Sequence, residues 1–334
     1  MMKMKHIILA ASVIFALTAC GKEVSEGKND DAKLEFDAWI AKNHPGIQPT
    51  TLGSYILEET PGTGDPVADS SYVRVRVTCR YLDGTVYTTT DEQLARQLGK
   101  YNSTGYYGPG VWRLSGNGLY AGLEELVSGM RIGGSMTAVI PGWLNTFNRY
   151  SSAKQYLKKA SGTNYIFSFT IVDAFSDADR WESDSLSRYL AANYPTAVKD
   201  TAVDGFWHVV LEPGKEDESY TSDSTFYINY VGRRLDEVIF DTSIADSAKV
   251  AGTYSASGTY EKKRVNLNDD DYTKNTLAGS SVIKGFALGL SKLHPEGRIL
   301  CFFISSLGYG ASGSGSSIPS FCPLCFEIAD YTEE

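Results

Sequence analysis

The chain repeats itself once, and that repetition limits its fold more than any other feature. Trp39-Ile40-Ala41-Lys42-Asn43-His44-Pro45 returns as Tyr189-Leu190-Ala191-Ala192-Asn193-Tyr194-Pro195, roughly 150 residues later. Each is the end of an amphipathic helix with a proline stop. Strand patterns follow at the same spacing. Ser54-Tyr55-Ile56-Leu57 precedes Pro61-Gly62, and Phe206-Trp207-His208-Val209-Val210 precedes Pro213-Gly214. Val73 to Val77 and Phe226 to Tyr230 both alternate as half-buried strands do, and the turns Asp83-Gly84 and Asp236-Glu237 close them. Each copy then has one helical stripe. Leu119, Tyr120, Leu123, Leu126, Val127 and Met130 form the first, and Val282, Ile283, Phe286, Leu290 and Leu293 the second. Each copy closes with a strand, Tyr165 to Ile171 and Leu324 to Ile328. The expected fold is therefore α+β: two tandem modules, each a mostly antiparallel sheet packed on a short helix. A length of 334 residues suits two domains, with a boundary near the acidic stretch Asp177 to Asp184.

The N-terminus sets the compartment. Lys3, Lys5 and His6 precede an apolar run, Ile7 to Leu17, too short to span a bilayer. Leu17-Thr18-Ala19-Cys20 resembles the lipobox of bacterial lipoproteins, in which cleavage leaves the cysteine as a lipid-modified N-terminus. That implies a signal peptide over 1–19, lipidation at Cys20 and a flexible polar tether over 20–34. Modules at 35–180 and 181–334 follow, held by lipid in a bacterial cell envelope, on the periplasmic or outer-membrane side. With 31 basic against 40 acidic residues and no basic run longer than Lys262-Lys263-Arg264, a nucleic-acid footprint is absent.

Several motifs lead nowhere. Cys322-Pro-Leu-Cys325 lacks the second ligand pair that a structural zinc needs. Cys301, Cys322 and Cys325 admit one disulfide or three buried thiols. Gly308-Tyr-Gly310-Ala-Ser-Gly313 has the spacing of a dinucleotide loop, but Ser314-Gly-Ser-Ser-Ile-Pro319 cannot start the required helix. Asn266 to Asp271 begins like a calcium loop, with Asp271 at the obligatory glycine. No GxSxG occurs, and His44, His208 and His294 have no triad-like context.

Two blocks of the second copy carry a family likeness. One is Tyr227-Ile-Asn-Tyr230-Val-Gly232 with Asp236 and Phe240-Asp241-Thr-Ser243. The other runs from Val282-Ile283-Lys-Gly285-Phe286 through Gly308-Tyr309-Gly310 to Ile318-Pro319 and Leu324-Cys-Phe326-Glu-Ile328. Over most of 205–330 this resembles an FKBP-type peptidyl-prolyl cis-trans isomerase. The first copy matches only in outline, through Asp83-Gly84, Leu119-Tyr120-Ala-Gly122-Leu123 and Phe167-Ser-Phe169.

The resemblance implies a catalytic set of Tyr230, Phe240, Asp241, Ile283 and Tyr309, and substrate contacts from Val282, Phe286, Ile318 and Phe326. Phe286 stands where the family most often has Trp, and the segment from Asp241 to Val282 is long for the family. Gly310 to Ser317 is expected to make a different, mobile rim. The implied chemistry breaks no bond and moves no proton, so no cofactor, metal or histidine is called for. An apolar slot for the proline ring and a few donors suffice. Plain core packing is the bland reading of each aromatic, but a carboxylate beside Phe240 needs a partner.

The first copy departs at those same positions. Val77 replaces the tyrosine, Tyr87-Thr88 stands for Phe240-Asp241, and Ile140 to Phe147 lacks the Tyr-Gly. It also has no Ile-Pro before its last strand, and so reads as degenerate. The function implied is a prolyl isomerase and folding helper for proline-containing envelope polypeptides. The alternative is a non-catalytic polypeptide-binding or scaffold lipoprotein with a vestigial pocket.

Overall fold

A computed structural model describes residues 29–67, 71–114, 116–222 and 224–331. The signal peptide, Cys20 and most of the tether lie outside them. The first module contains α1 (Asp30–Asn43), β1 (Tyr55–Thr60), β2 (Tyr72–Arg80), β3 (Val86–Thr89), α2 (Glu92–Gln97), β4 (Gly110–Arg113), α3 (Ala121–Val127), β5 (Ser135–Ile140), α4 (Ala153–Lys159) and β6 (Tyr165–Phe175). Its strands run in the antiparallel order β1-β5-β6-β2-β3, with β4 also on β2.

The second module contains α5 (Ala178–Asn193), β7 (Val198–Lys199), β8 (Phe206–Glu212), β9 (Phe226–Arg234), β10 (Ile239–Thr242), α6 (Ala245–Ala251), β11 (Lys263–Asn266), β12 (Thr276–Leu277), β13 (Ser280–Ser281), α7 (Lys284–Leu290), β14 (Arg298–Phe303) and β15 (Leu324–Asp330). Its core order β8-β14-β15-β9 repeats β1-β5-β6-β2, and β10 and β11 flank β9 as β3 and β4 flank β2. The insertion after Asp241 supplies α6 and the extra strands β12 and β13. Two α+β modules are thus the architecture of the chain.

Alternation explains the layers. In β14, Ile299, Cys301 and Phe303 join α7 in one core, while Leu300 and Phe302 join Leu186 and Leu190 of α5 in another. The second sheet is therefore covered on both faces. The stretch Asp177 to Asp184, read as a polar boundary, is the start of α5, with Asp177 capping the Arg180 N–H at 3.1 Å.

The tether is also shorter than expected. Asn29 donates to the carbonyls of Leu157 and Ala160, α1 starts at Asp30, and Phe36 and Ile40 are buried. Polar residues there suggested a loose chain, but one buried stripe is enough to hold the helix down. The helices α3 and α7 are shorter than their apolar stripes. Tyr120 and Ile283 are extended (ψ 141° and 148°), so each helix begins only after them.

The modules touch. Trp181 of α5 stacks on Phe175 at 4.6 Å, donates to Asp173 at 3.0 Å and lies under Arg74 at 5.0 Å. Tyr72 meets Phe321 edge-on at 5.2 Å. A cavity of about 380 Å³ remains between them, lined in part by Tyr106, Trp181, Arg234 and Phe321.

Cys79, Cys301, Cys322 and Cys325 are free thiols, and burial pushes Cys322 and Cys325 up to about 12. No group of three metal-binding side chains occurs among the described residues. Asp269 and Asp271 are engaged by Ser222 and Thr273. Nor is any helix among the described residues long and apolar enough to cross a membrane.

Candidate active site

The site begins with a hairpin fault shared by both modules. In β9–β10, Arg233 faces Ile239 and Gly232 faces Asp241, so the ladder skips Phe240. In β2–β3, Arg80 faces Val86 and Cys79 faces Thr88, so it skips Tyr87 in the same way. The hairpins are also tied alike: Ser243 Oγ accepts from the Tyr230 N–H and Thr90 Oγ1 from the Val77 N–H, each at 2.9 Å. One frame therefore carries two different side-chain sets.

In the second module the skipped residue joins an aromatic box. Phe240 meets Phe326 edge-on at 5.6 Å and 82°, Phe286 meets Phe326 at 5.0 Å and 73°, and Tyr230 meets Phe286 at 5.5 Å and 74°. Edge-to-face pairing of this kind suits the ring quadrupoles. Ile318 is buried in the same core, and Val282, Ile283 and Tyr309 pack against it half-buried. Phe286 gives this core an aromatic floor.

The polar edge is compact. The Tyr230 hydroxyl donates to Asp241 Oδ2 at 3.0 Å, so the carboxylate beside Phe240 has its partner. Burial first, and the Asp241 charge second, push the Tyr230 phenol above its ordinary value of 10.0. The same two causes, in the same order, raise Tyr309. Asp241 is thus within electrostatic reach of both phenols, and both stay protonated donors at neutral pH. All nine slot residues named from the sequence gather at this place.

Gly310 to Ser317 is a hydrogen-bonded turn: Ser314 and Ile318 exchange backbone bonds at 2.7 and 3.1 Å, and Phe321 N–H donates to the Gly310 carbonyl at 2.9 Å. Gly310, Gly313 and Gly315 take φ values of 56°, 63° and 55°. That left-handed backbone lets a run rich in glycine and serine close on itself.

Gly232 is the functional residue that the sequence reading passed over. A Cβ there would lie 2.6 Å from a Phe326 ring carbon and 3.0 Å from two atoms of the Phe240 ring. Its counterpart in the first module is Cys79, and there Tyr87 lies out in solvent, 55% exposed, stacked at 5.3 Å on Tyr165. A glycine inside a strand was the available signal, since it marks close approach.

The first module also fills its own helix entrance. The Thr146 carbonyl accepts from the Ala121 N–H at 3.0 Å, and Phe147 packs on Tyr120 at 4.6 Å. A depression of about 510 Å³ in the first module is lined by Glu58, Thr78, Glu92, Ser168, Tyr107 and Phe169. Two rings set among carboxylates and hydroxyls do not make the apolar box that Phe240, Phe286 and Phe326 form in the second module.

Residues 216–329 match the family model for FKBP-type peptidyl-prolyl cis-trans isomerase. No curated protein sequence matches significantly. Similar solved structures include the three FKBP domains of wheat FKBP73, 14% identical, with 88% of this chain and 96% of that one covered and a TM-score of 0.31. A peptidyl-prolyl cis-trans isomerase from Pseudomonas syringae pv. tomato is 22% identical, covering 46% and 93%, with a TM-score of 0.31. FkpA from Escherichia coli is also 22% identical, covering 46% and 62%, with a TM-score of 0.30. These three likenesses are distant, so the assignment rests on the matched segment. The second module thus carries, over residues 216–329, the segment that is similar to FKBP-type peptidyl-prolyl cis-trans isomerases.

Proposed function

We propose that the second module catalyses cis-trans isomerisation of X–Pro bonds in extended or unfolded polypeptides. The single observation that carries this reading is the Tyr230–Asp241 bond at the edge of the Phe240, Phe286 and Phe326 box. Rotation about the bond costs ~18–20 kcal/mol because amide resonance is lost on the way. A dry aromatic slot holds the proline ring and withdraws water from the planar amide. Donors that fit the twisted amide better than the planar one then lower the barrier. The Ile283 N–H and the Tyr309 hydroxyl take that role, and Asp241 orders the edge through Tyr230. The first module, its helix entrance covered by Thr146 and Phe147, serves packing, dimerisation or client binding.

The wider setting belongs to the same proposal. The lipobox-like Leu17-Thr18-Ala19-Cys20 supports a lipid anchor at Cys20 and a place in the bacterial envelope, where the clients are proline-containing polypeptides. The test is refolding of a substrate protein limited by a proline step, uncatalysed in tens to hundreds of seconds, with the chain from residue 21 onward added. Concentration-dependent acceleration is expected. A folded chain that binds unfolded substrate without accelerating it would establish the non-catalytic binding protein instead.

A further inference from the structure

The loop from Ser305 to Ile318 carries Tyr309 and leads into Ile318, and a charged side chain from outside the loop holds each end of it. At the start, Glu182 of α5 is fully buried. Its Oε2 accepts from the Ser305 N–H at 2.6 Å and its Oε1 from the Ser305 hydroxyl at 2.7 Å. At the far end, Arg234 is 2% exposed and donates to the Ser317 carbonyl, one residue before Ile318. The same guanidinium donates to the Thr104 carbonyl at 2.9 Å and the Gly105 carbonyl at 3.0 Å, both in the first module. Asp236 holds it in plane at 3.0 and 2.9 Å, and the Tyr106 ring lies 5.4 Å away.

Such groups are not left buried without cause. A buried carboxylate or guanidinium loses its hydration and keeps its place only when its hydrogen bonds are satisfied. Here every bond that satisfies Glu182 goes to the loop's first residue. Arg234 divides its donors between Asp236, Ser317 near the loop's end and the first module. The Arg234 guanidinium therefore ties the first module to the end of the Tyr309 loop, and the Glu182 carboxylate ties α5 to its start. Neither contact lies on the apolar slot.

We infer that Glu182 and Arg234 are positioning residues for the isomerase site, and that the first module, through Thr104, Gly105 and Arg234, sets the geometry of the Tyr309 loop. This rests on the isomerase reading for its effect on turnover, but the pinning itself does not. A bidentate acceptor at Glu182 can be replaced by glutamine, which accepts from the N–H and donates to the hydroxyl. Alanine can do neither. Arg234→Lys keeps the charge but cannot reach three carbonyls from one fork.

The test compares Glu182→Ala, Glu182→Gln and Arg234→Lys in the full chain, by amide hydrogen exchange and by turnover of an X–Pro peptide. Glu182→Ala should speed exchange over 305–318 by at least tenfold and raise KM severalfold with a smaller change in kcat. Glu182→Gln should restore both. Arg234→Lys should speed exchange at 315–320 and at 102–106 together, which a defect local to one module would not do. Unchanged exchange in a folded Glu182→Ala chain, or equal behaviour of alanine and glutamine, would overturn the inference. If Glu182→Ala does not fold, Arg234→Lys decides, and exchange confined to one of its two segments refutes the link. Altered exchange in a chain that has no isomerase activity at all would leave the pinning intact and remove the isomerase reading.

Discussion

Adding a single methyl group at Gly232 probes the slot more sharply than removing any of its rings. The new Cβ would stand 2.6 Å from Phe326 and 3.0 Å from Phe240. Carbon atoms rest at ~3.5–4.0 Å, so one or both rings must retreat by about 1 Å. Overpacking of this kind costs ~1–3 kcal/mol. In the strand itself, alanine regains ~0.5–1 kcal/mol over glycine by restricting the unfolded chain. The two effects oppose each other in stability, so the net destabilisation of Gly232→Ala should be at most ~2.5 kcal/mol. In catalysis they do not cancel, because the backbone gain is present with or without substrate. If the rings must be forced back to admit proline, the ~1–3 kcal/mol falls on the barrier and kcat/KM drops by about 5- to 150-fold. The assay is turnover of an X–Pro peptide beside a urea unfolding curve of the same variant. The expected signature is a large fall in kcat/KM with a small shift in midpoint. Full turnover at parental stability would show that Phe240 and Phe326 do not form the working slot.

Other outcomes follow from the same geometry. Phe240→Ala should lower kcat/KM more than Tyr309→Phe, which removes one hydrogen bond, ~0.5–1.5 kcal/mol, or about 2- to 13-fold; the reverse order in peptide turnover would move the chemistry to the rim. Turnover should stay flat from pH 6 to 8, since burial and the Asp241 charge hold Tyr230 and Tyr309 protonated above the usual tyrosine range; a bell-shaped profile there would require a titrating group that the slot lacks. Burial raises the Glu182 carboxyl above its ordinary 4.5, partly offset by the Ser305 bonds. The folded chain then holds that proton more tightly than the unfolded one, so this group's contribution to stability is lost as pH rises through the raised value. Glu182→Gln should thus gain stability relative to the parent between acid and neutral pH, in urea midpoints measured at both; a gap that closes as pH rises would refute this.

The sequence alone determined the parts whose causes are local. Strand alternation in Val73 to Val77 and Phe226 to Tyr230, the proline stops after α1 and α5, and the spacing of the repeat all depend on near neighbours, and they place the frame of both modules. The residues that converge around Phe326 were legible too, because Phe240-Asp241 and Val282-Ile283 sit in short blocks whose order resembles a family. The tertiary structure decided what depends on contacts across the chain. Gly232 matters only because Phe326 of another strand faces it. The start of α1 inside the expected tether depends on Asn29 finding carbonyls on α4 and just beyond it, 128 and 131 positions away. Thr146 and Phe147 close the first helix entrance from a loop that follows β5. Glu182 and Arg234 are ordinary surface letters in sequence, and they become buried pins only when Ser305 and Thr104 arrive from 123 and 130 residues away. Periodicity and turn chemistry are written in adjacent residues, whereas burial of a charge is settled by which distant carbonyl or amide the fold brings to it.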